Sequence, residues 1–412
     1  MSRTIAMLHY AAPPTVGGVE TTIAAHARVM QAAGHHVRII AGRAGPLPYA
    51  EVLVEPELNS RGEEVERVAA ELANGVVSEA FESLTARIAD RLSQALAGVD
   101  VAIVHNLLTL HRNLPFTAAL HRLHSAGLAP RLLAWCHNVA WNDPLLTPEL
   151  HDGYPWKLLR TAWPDVRYVV VSNDMRPSVA RLLGIPPEWV SVVSPGVDLA
   201  GFLKLEPDTM KLIERFDLLR ADPLLLLPTR ITRHKNIEQA VAVVGALRKL
   251  RARPRLIVTG PPGPPSPATS AYLGYLKTLQ RETGAGESVI FLHEIVRTPA
   301  GEPEPISDAL LSDLYRLADG LLFPSRYEGF GIPILEAGLA GMPIFCSDIP
   351  PFRESAGDAA VRFHPEAPPE DIARRIIVAL SDDRRIALRR RVRIDYTWEA
   401  IYRRSIAPLL GA

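Results

Sequence analysis

Only two cysteines occur in 412 residues, Cys136 and Cys346, one in each half of the chain. That excludes a disulfide framework and a cysteine-built zinc site, and it argues for a reducing compartment. Lysine is scarce too, at 157, 204, 211, 235, 249 and 277 only, so arginine does most of the basic work. The 45 basic residues balance 45 acidic ones, so no net charge draws the chain to nucleic acid or acidic lipid. No apolar run approaches the roughly 20 residues of a membrane span. The short run in MSRTIAMLHYAAPP reads as a first buried strand rather than a signal peptide, so the expected location is cytoplasmic. Peripheral membrane contact through an amphipathic face stays open. No lysine follows a glycine, so a P-loop cannot be written.

What is present is a rhythm. Apolar runs TIAMLHY, HVRIIAG, DVAIVHN, RLLAWCH, RYVVVS and VSVVSPG occupy the first half, and PLLLLPT, RLIVTG, VIFLHE, GLLFPS and PIFCSD the second. Between them lie segments apolar at helical spacing, such as TTIAAHARVMQAAG and NIEQAVAVVGALRKL. Strand–helix alternation of this kind predicts doubly wound parallel sheets, and strands apolar on both faces fit sheets covered on both sides. The expected organisation is two Rossmann-like domains of the α/β class, 1–200 and 205–390. Residues 391–412 form a last helix able to return to the first domain. Glu63 to Leu96 reads as a long helical insertion, and the proline-rich stretch after Thr259 as a loop.

One stretch resists a core reading: RYEGFGIPILEAGLAGMPI, from Arg326 to Ile344, carries Glu328 and Glu336 in an otherwise apolar run. Locally, LLFPS is a strand, SRYEGFG a loop, and Pro333 opens a helix where its missing N–H costs nothing. Glu328 then lies at the carboxyl end of a strand and Glu336 in the first helical turn. Ligands bind in crevices at the carboxyl ends of parallel strands. Free amides of Gly329, Phe330, Gly331 and Ile332, and on to Ile334, would present about half a positive charge there, suited to a diphosphate. Carboxylates nearby can accept sugar hydroxyls, each bond worth on the order of 1.5–3 kcal/mol. Taken singly, Glu336 could serve a helix start and Glu328 a solvated loop; the glycines between them favour a site.

This pattern, Glu328-Gly-Phe-Gly-Ile-Pro-Ile-Leu-Glu336 followed by Ala-Gly and Gly-Met-Pro, resembles the signature of the retaining glycosyltransferases of family 4, which have the two-domain GT-B fold with an interdomain cleft. The resemblance implies that Glu328 faces the donor sugar and Glu336 holds the ribose hydroxyls. PTRITRHKN, from Pro228, is similar to the family's phosphate-binding pair, here Arg230 and Lys235, with Arg233 left unassigned. Two fixed cations can neutralise a diphosphate leaving group as its charge develops. Gly17 and Gly18, in PPTVGGVE, match a glycine pair facing donor phosphates and acceptor. His137 matches a histidine beside the sugar, although a histidine on an apolar strand is commonly a core residue. His105, Asn106, Trp141 and Trp156 are favoured as structural residues over acceptor contacts. Gly196 to Phe202, and Trp398-Glu399, match structural segments of the family.

The resemblance therefore implies a retaining hexosyltransferase that takes a UDP-, GDP- or ADP-hexose to an acceptor hydroxyl, with no cofactor. No Asp-x-Asp occurs, so the expected mechanism needs no metal. A sugar phosphorylase on the same fold and a non-catalytic sugar-nucleotide binder are the alternatives. A nicotinamide oxidoreductase is disfavoured, because Gly329-Phe-Gly331 continues into Ile-Pro-Ile instead of G-x-G-x-x-G. Sugar, nucleobase, acceptor and oligomeric state carry no motif.

Overall fold

Each apolar run read above as a strand is one. The computed structural model describes residues 2–250, 253–296 and 305–411. The chain divides into two units, Met1–Val197 with Tyr396–Ala412, and Asp198–Asp395.

In the first unit β1 (Thr4–His9), β2 (His36–Ala41), β3 (Glu51–Val54), β4 (Val101–His105), β5 (Arg131–Cys136), β6 (Arg167–Val170) and β7 (Val190–Val192) form one parallel sheet in the order β3-β2-β1-β4-β5-β6-β7. In the second, β8 (Leu224–Leu227), β9 (Arg255–Val258), β10 (Val289–Phe291), β11 (Gly320–Phe323), β12 (Ile344–Ser347) and β13 (Ala360–Phe363) form another, ordered β10-β9-β8-β11-β12-β13. Central strands such as β4 and β8 are buried along their whole length, as all-apolar strands covered on both faces must be. The order reverses between β1 and β4, and again between β8 and β11. Loops at the carboxyl ends of those four strands therefore open away from one another and leave a crevice in each unit.

Two strands escaped the sequence reading, β3 and β13. Both are edge strands of four residues, only partly buried, so neither has the unbroken apolar run that marks the central ones. The expected insertion at Glu63–Leu96 is corrected as well. It is two helices, Glu63–Ala73 and Glu79–Ala95, split where Gly75 takes φ +77 and Ser78 caps the second by accepting from the Phe81 amide. The second helix is the crossover from β3 to β4. Phe81, Leu84, Ile88 and Leu92 are fully buried on it, so it is a structural layer of the sheet.

The helix Arg384–Asp395 stays with the second unit beyond residue 391. Buried Arg393 donates to the carbonyls of Leu219, Ala221 and Leu317 and pairs with Asp319 at 3.1 Å. From Tyr396 the chain lies in the first unit, as a short helix Trp398–Ile401, a π-helical turn Tyr402–Ile406 and a final turn Ala407–Leu410. Ile401, Ile406 and Leu410 join the core under β1 and β4. A Cβ on Gly196 would stand 2.8 Å from the Trp398 ring, and the Val197 amide donates to Tyr396 O at 2.7 Å. Gly196 is a glycine because Trp398 packs on it. Both cysteines are free and buried, and burial pushes each thiol up to about 12.

Candidate functional site

In the second unit the loop after β8 carries Arg230 and Lys235, and the loop after β11 carries Glu328. The Arg326 amide donates to His234 O at 2.8 Å, tying the two loops backbone to backbone. The Arg326 side chain then pairs with Glu238 at 2.7 Å and Glu366 at 2.9 Å, bracing the loop from outside. Lys235 ends a 3-10 turn, Arg233–Lys235, that stops at Asn236 in the left-handed region (φ +54). Its Nζ donates to Glu328 Oε1 at 2.6 Å, and the same oxygen accepts from buried Ser325 Oγ at 2.9 Å. The two charged side chains are only 16% and 12% exposed. Arg230 is exposed and has no ion pair among the described residues.

Gly331 is the one glycine of this loop that the backbone demands. Its φ is +100, and a Cβ there would meet the Phe352 ring at 2.7 Å. It caps the helix Ile332–Leu339, with Pro333 in the first turn as the sequence suggested. The amides of Gly329, Phe330, Gly331 and Ile332 donate to no backbone carbonyl among the described residues. Ile334 is a correction: its amide is already spent on Gly331 O at 2.9 Å. A cavity of about 620 Å³ lies here, lined by Thr229, Arg230, Thr232, His234 and Lys235 from the loop after β8 and by Glu328, Phe330, Gly331 and Ile332 from the segment after β11.

Glu336 is a second correction. The helix begins at Ile332, so Glu336 lies in its second turn, and no acidic residue occupies the first. A macrodipole preference for acids at helix starts therefore does not explain it. It lines a separate cavity of about 410 Å³ with Tyr315, Ser312 and Leu339. Tyr315 OH donates to its Oε2. Burial, and then that carboxylate, push the Tyr315 phenol well above its ordinary range. Tyr315 was missed because nothing local to a tyrosine in the helix Asp308–Leu317 reveals a partner 21 residues later.

In the first unit Gly17 caps the helix Gly18–Ala32 in an extended conformation that any residue adopts. A Cβ there would stand 2.2 Å from the Glu20 carboxylate, the far end of a flexible side chain that can swing aside, so the backbone does not require glycine at this position. Gly18 is exposed, and a Cβ on it would meet nothing within 4 Å. His137 directly follows β5. Its amide and that of Asn138 donate to Asn106 Oδ1 at 2.8 and 3.1 Å, and its Nε2 meets His105 Nδ1 at 3.0 Å. Burial, with His9 nearby, pushes the His137 imidazole down to about 4, so it is neutral near pH 7.

His105 is fully buried and Asn106 nearly so, which agrees with the structural reading of both; yet they hold His137 in place, a role the sequence did not suggest. Asn106 manages it from the left-handed region (φ +63), where asparagine is tolerated. Trp141 lies under the Arg160 guanidinium at 4.4 Å, and Trp156 is buried beside His111 and Arg112 on a cavity of about 140 Å³.

Comparison with known proteins follows the division into units. Residues 211–396 match the family model described as glycosyl transferases group 1, and residues 16–200 match that of glycosyltransferase family 4. A D-inositol 3-phosphate glycosyltransferase of Jonesia denitrificans is 31% identical over 54% of this chain and 53% of its own. A mannosylglucosylglycerate synthase of Thermotoga maritima is 25% identical over 66% of this chain and 62% of its own. The chain thus spans between half and two thirds of the length of these relatives. Among solved structures, the Anabaena protein HepE, in complex with UDP and glucose, aligns over 100% of both chains at 15% identity with a TM-score of 0.36. With complementary models covering its two halves, the chain belongs to the group 1 glycosyltransferases.

Proposed function

We propose that this chain transfers a hexose from a nucleotide-diphosphate sugar to an acceptor hydroxyl, with retention of configuration and without a metal. One observation carries the reading. Arg230, Lys235, Phe330, Gly331 and Ile332 line the cavity that Glu328 also lines, and the amides of Phe330, Gly331 and Ile332 donate to no backbone carbonyl among the described residues. Two cations and a set of fixed N–H dipoles match a diphosphate leaving group and become more favourable as its negative charge grows. Glu328, held by Lys235 and Ser325, keeps one oxygen for a hydroxyl of the transferred sugar. Glu336 accepts hydrogen bonds from the ribose hydroxyls in the neighbouring cavity; His137 is assigned to the transferred sugar, and Gly17 and Gly18 to the donor phosphates and acceptor.

In this mechanism the acceptor oxygen attacks the anomeric carbon on the face from which the diphosphate departs. A phosphate oxygen takes the acceptor proton, so no enzyme base is required. Arg230 and Lys235 perform the neutralisation a metal ion performs elsewhere.

Thermal-shift screening against UDP-, GDP- and ADP-hexoses tests the reading. A donor at a hundredfold excess over its dissociation constant adds about 2.7 kcal/mol of stability. Stabilisation by a nucleotide sugar, lost in Lys235→Ala, supports it. Turnover with free phosphate and no nucleotide points instead to a phosphorylase.

A further inference from the structure

At the carboxyl edge of the first unit's sheet three histidines, His9, His105 and His137, pack with His26 of the helix Gly18–Ala32 and with Trp135. The His105 ring lies 5.3 Å from that of His137, 5.7 Å from His26, 6.0 Å from Trp135 and 6.4 Å from His9. Aromatic carbon and nitrogen, not carboxylate, surround it. In the contact between His105 Nδ1 and His137 Nε2, 3.0 Å long, one ring must donate and the other accept. Burial lowers the proton affinity of both, so neither is an imidazolium near pH 7 and each carries a single ring proton.

Which ring donates follows from the far nitrogen of His105. His105 Nε2 is fully buried and meets no protein partner. Were His105 protonated there, an N–H donor would be buried among rings with no protein acceptor. With the proton on Nδ1, only a lone pair is left unmatched, which is the less costly defect. We infer that His105 donates from Nδ1 to His137 Nε2 and thereby fixes His137 as the Nδ1–H tautomer, a hydrogen-bond donor rather than a base. His137 Nδ1 has no partner among the described residues, on a half-buried side chain. Asn106 fixes the backbone of the same residue through the His137 and Asn138 amides. Two adjacent residues at the end of β4 thus set both the position of His137 and its proton. His105 is a positioning residue, and the group His137 offers is an N–H for a hydroxyl or ether oxygen of the sugar. This last step rests on the proposal that His137 faces the transferred sugar; the tautomer assignment does not.

The test is long-range proton–nitrogen correlation NMR on the full-length, uniformly nitrogen-15-labelled protein, which separates protonated from bare ring nitrogens. His137→Gln identifies the His137 signals among those of the 13 histidines. The wild-type spectrum is expected to show His137 protonated at Nδ1 and bare at Nε2. His105→Leu should leave His137 a mixture of tautomers, and His105→Asn, whose amide N–H replaces the imidazole donor, should restore the single form. Turnover should fall about three- to tenfold in His105→Leu, the value of one neutral hydrogen bond, and recover in His105→Asn. A wild-type His137 protonated at Nε2 overturns the assignment without touching the glycosyl-transfer reading. Mixed tautomers in His105→Leu with parental turnover overturn the role in transfer.

Discussion

Lys235 Nζ stands 2.6 Å from Glu328 Oε1, joining the loop after β8 to the loop after β11 where the strand order of the second unit reverses. The sequence suggested a phosphate cation and a sugar-facing carboxylate, and the structure adds that they are partners. A charge held this way is fixed before any ligand arrives, so little reorganisation is needed when a diphosphate comes within reach of Lys235. Both members are largely buried, so removing one strands the other.

Lys235→Ala is therefore expected to lower stability by about 1–3 kcal/mol and turnover by on the order of a hundredfold. The double variant Lys235→Met/Glu328→Gln should regain most of the stability and none of the turnover. Chemical denaturation and initial rates on both proteins check this; parental turnover in either would remove the pair from the chemistry.

Glu336→Ala should weaken binding of the bare nucleoside diphosphate about tenfold, the order of a charge-assisted hydrogen bond to the ribose. Tyr315→Phe, which removes the donor that orients Glu336, should have a smaller effect in the same direction. Calorimetry with the diphosphate alone decides it. Unchanged affinity in Glu336→Ala would take Glu336 out of the ribose role.

Two glycines separate folding from function. Gly331→Ala places a Cβ against the Phe352 ring at a φ of +100, and should cost about 2 kcal/mol or more. A Cβ on exposed Gly18 would meet nothing within 4 Å, so the melting temperature of Gly18→Leu should match the parent. If the loop faces the donor phosphates or the acceptor, as proposed, its transfer rate should nevertheless collapse. A folded Gly18→Leu protein transferring at the parental rate would put that loop outside the site.

Acid should destabilise the first unit through its histidines. His137 is depressed to about 4 and His26 to about 3, both below the ordinary 6.5, so the folded state favours the neutral rings. Their contribution is complete above pH 6.5. Below it the unfolded chain binds protons that the folded chain does not, and stability falls by about 1.4 kcal/mol per pH unit for each group. For His137 the fall levels off near pH 4. Urea midpoints between pH 7 and 4 should decline in the parent and less steeply in His137→Gln; equal slopes would show that His137 titrates normally.

How much of this was legible in the sequence depends on what each feature is made of. Central strands are written as apolar runs because both faces are covered, whereas β3 and β13 sit at sheet edges and have no such run. Arg230, Lys235 and Glu328 were readable because each follows directly on a recognisable strand, and they share one cavity. The offset of Glu336 by one helical turn was not readable. It depends on where Gly331 breaks the chain's direction, and Pro333 fits either of the first two helical positions. Tyr315 with Glu336, and His105 with His137, are pairs made by tertiary packing, and no spacing rule connects them.

The central claim is that the cavity between the loops after β8 and β11 binds the diphosphate of a sugar nucleotide and that Lys235 neutralises it as the bond breaks. Calorimetric titration of the donor identified by thermal shift, run in excess EDTA on the parent and on Lys235→Ala and coupled to turnover under the same conditions, tests it most directly. The account predicts undiminished binding and turnover in the parent despite the chelator. In Lys235→Ala, binding should weaken about tenfold or more and turnover should fall further than the lost affinity explains. Activity that vanishes with EDTA and returns with magnesium or manganese, or a Lys235→Ala protein that binds and transfers like the parent, would contradict it.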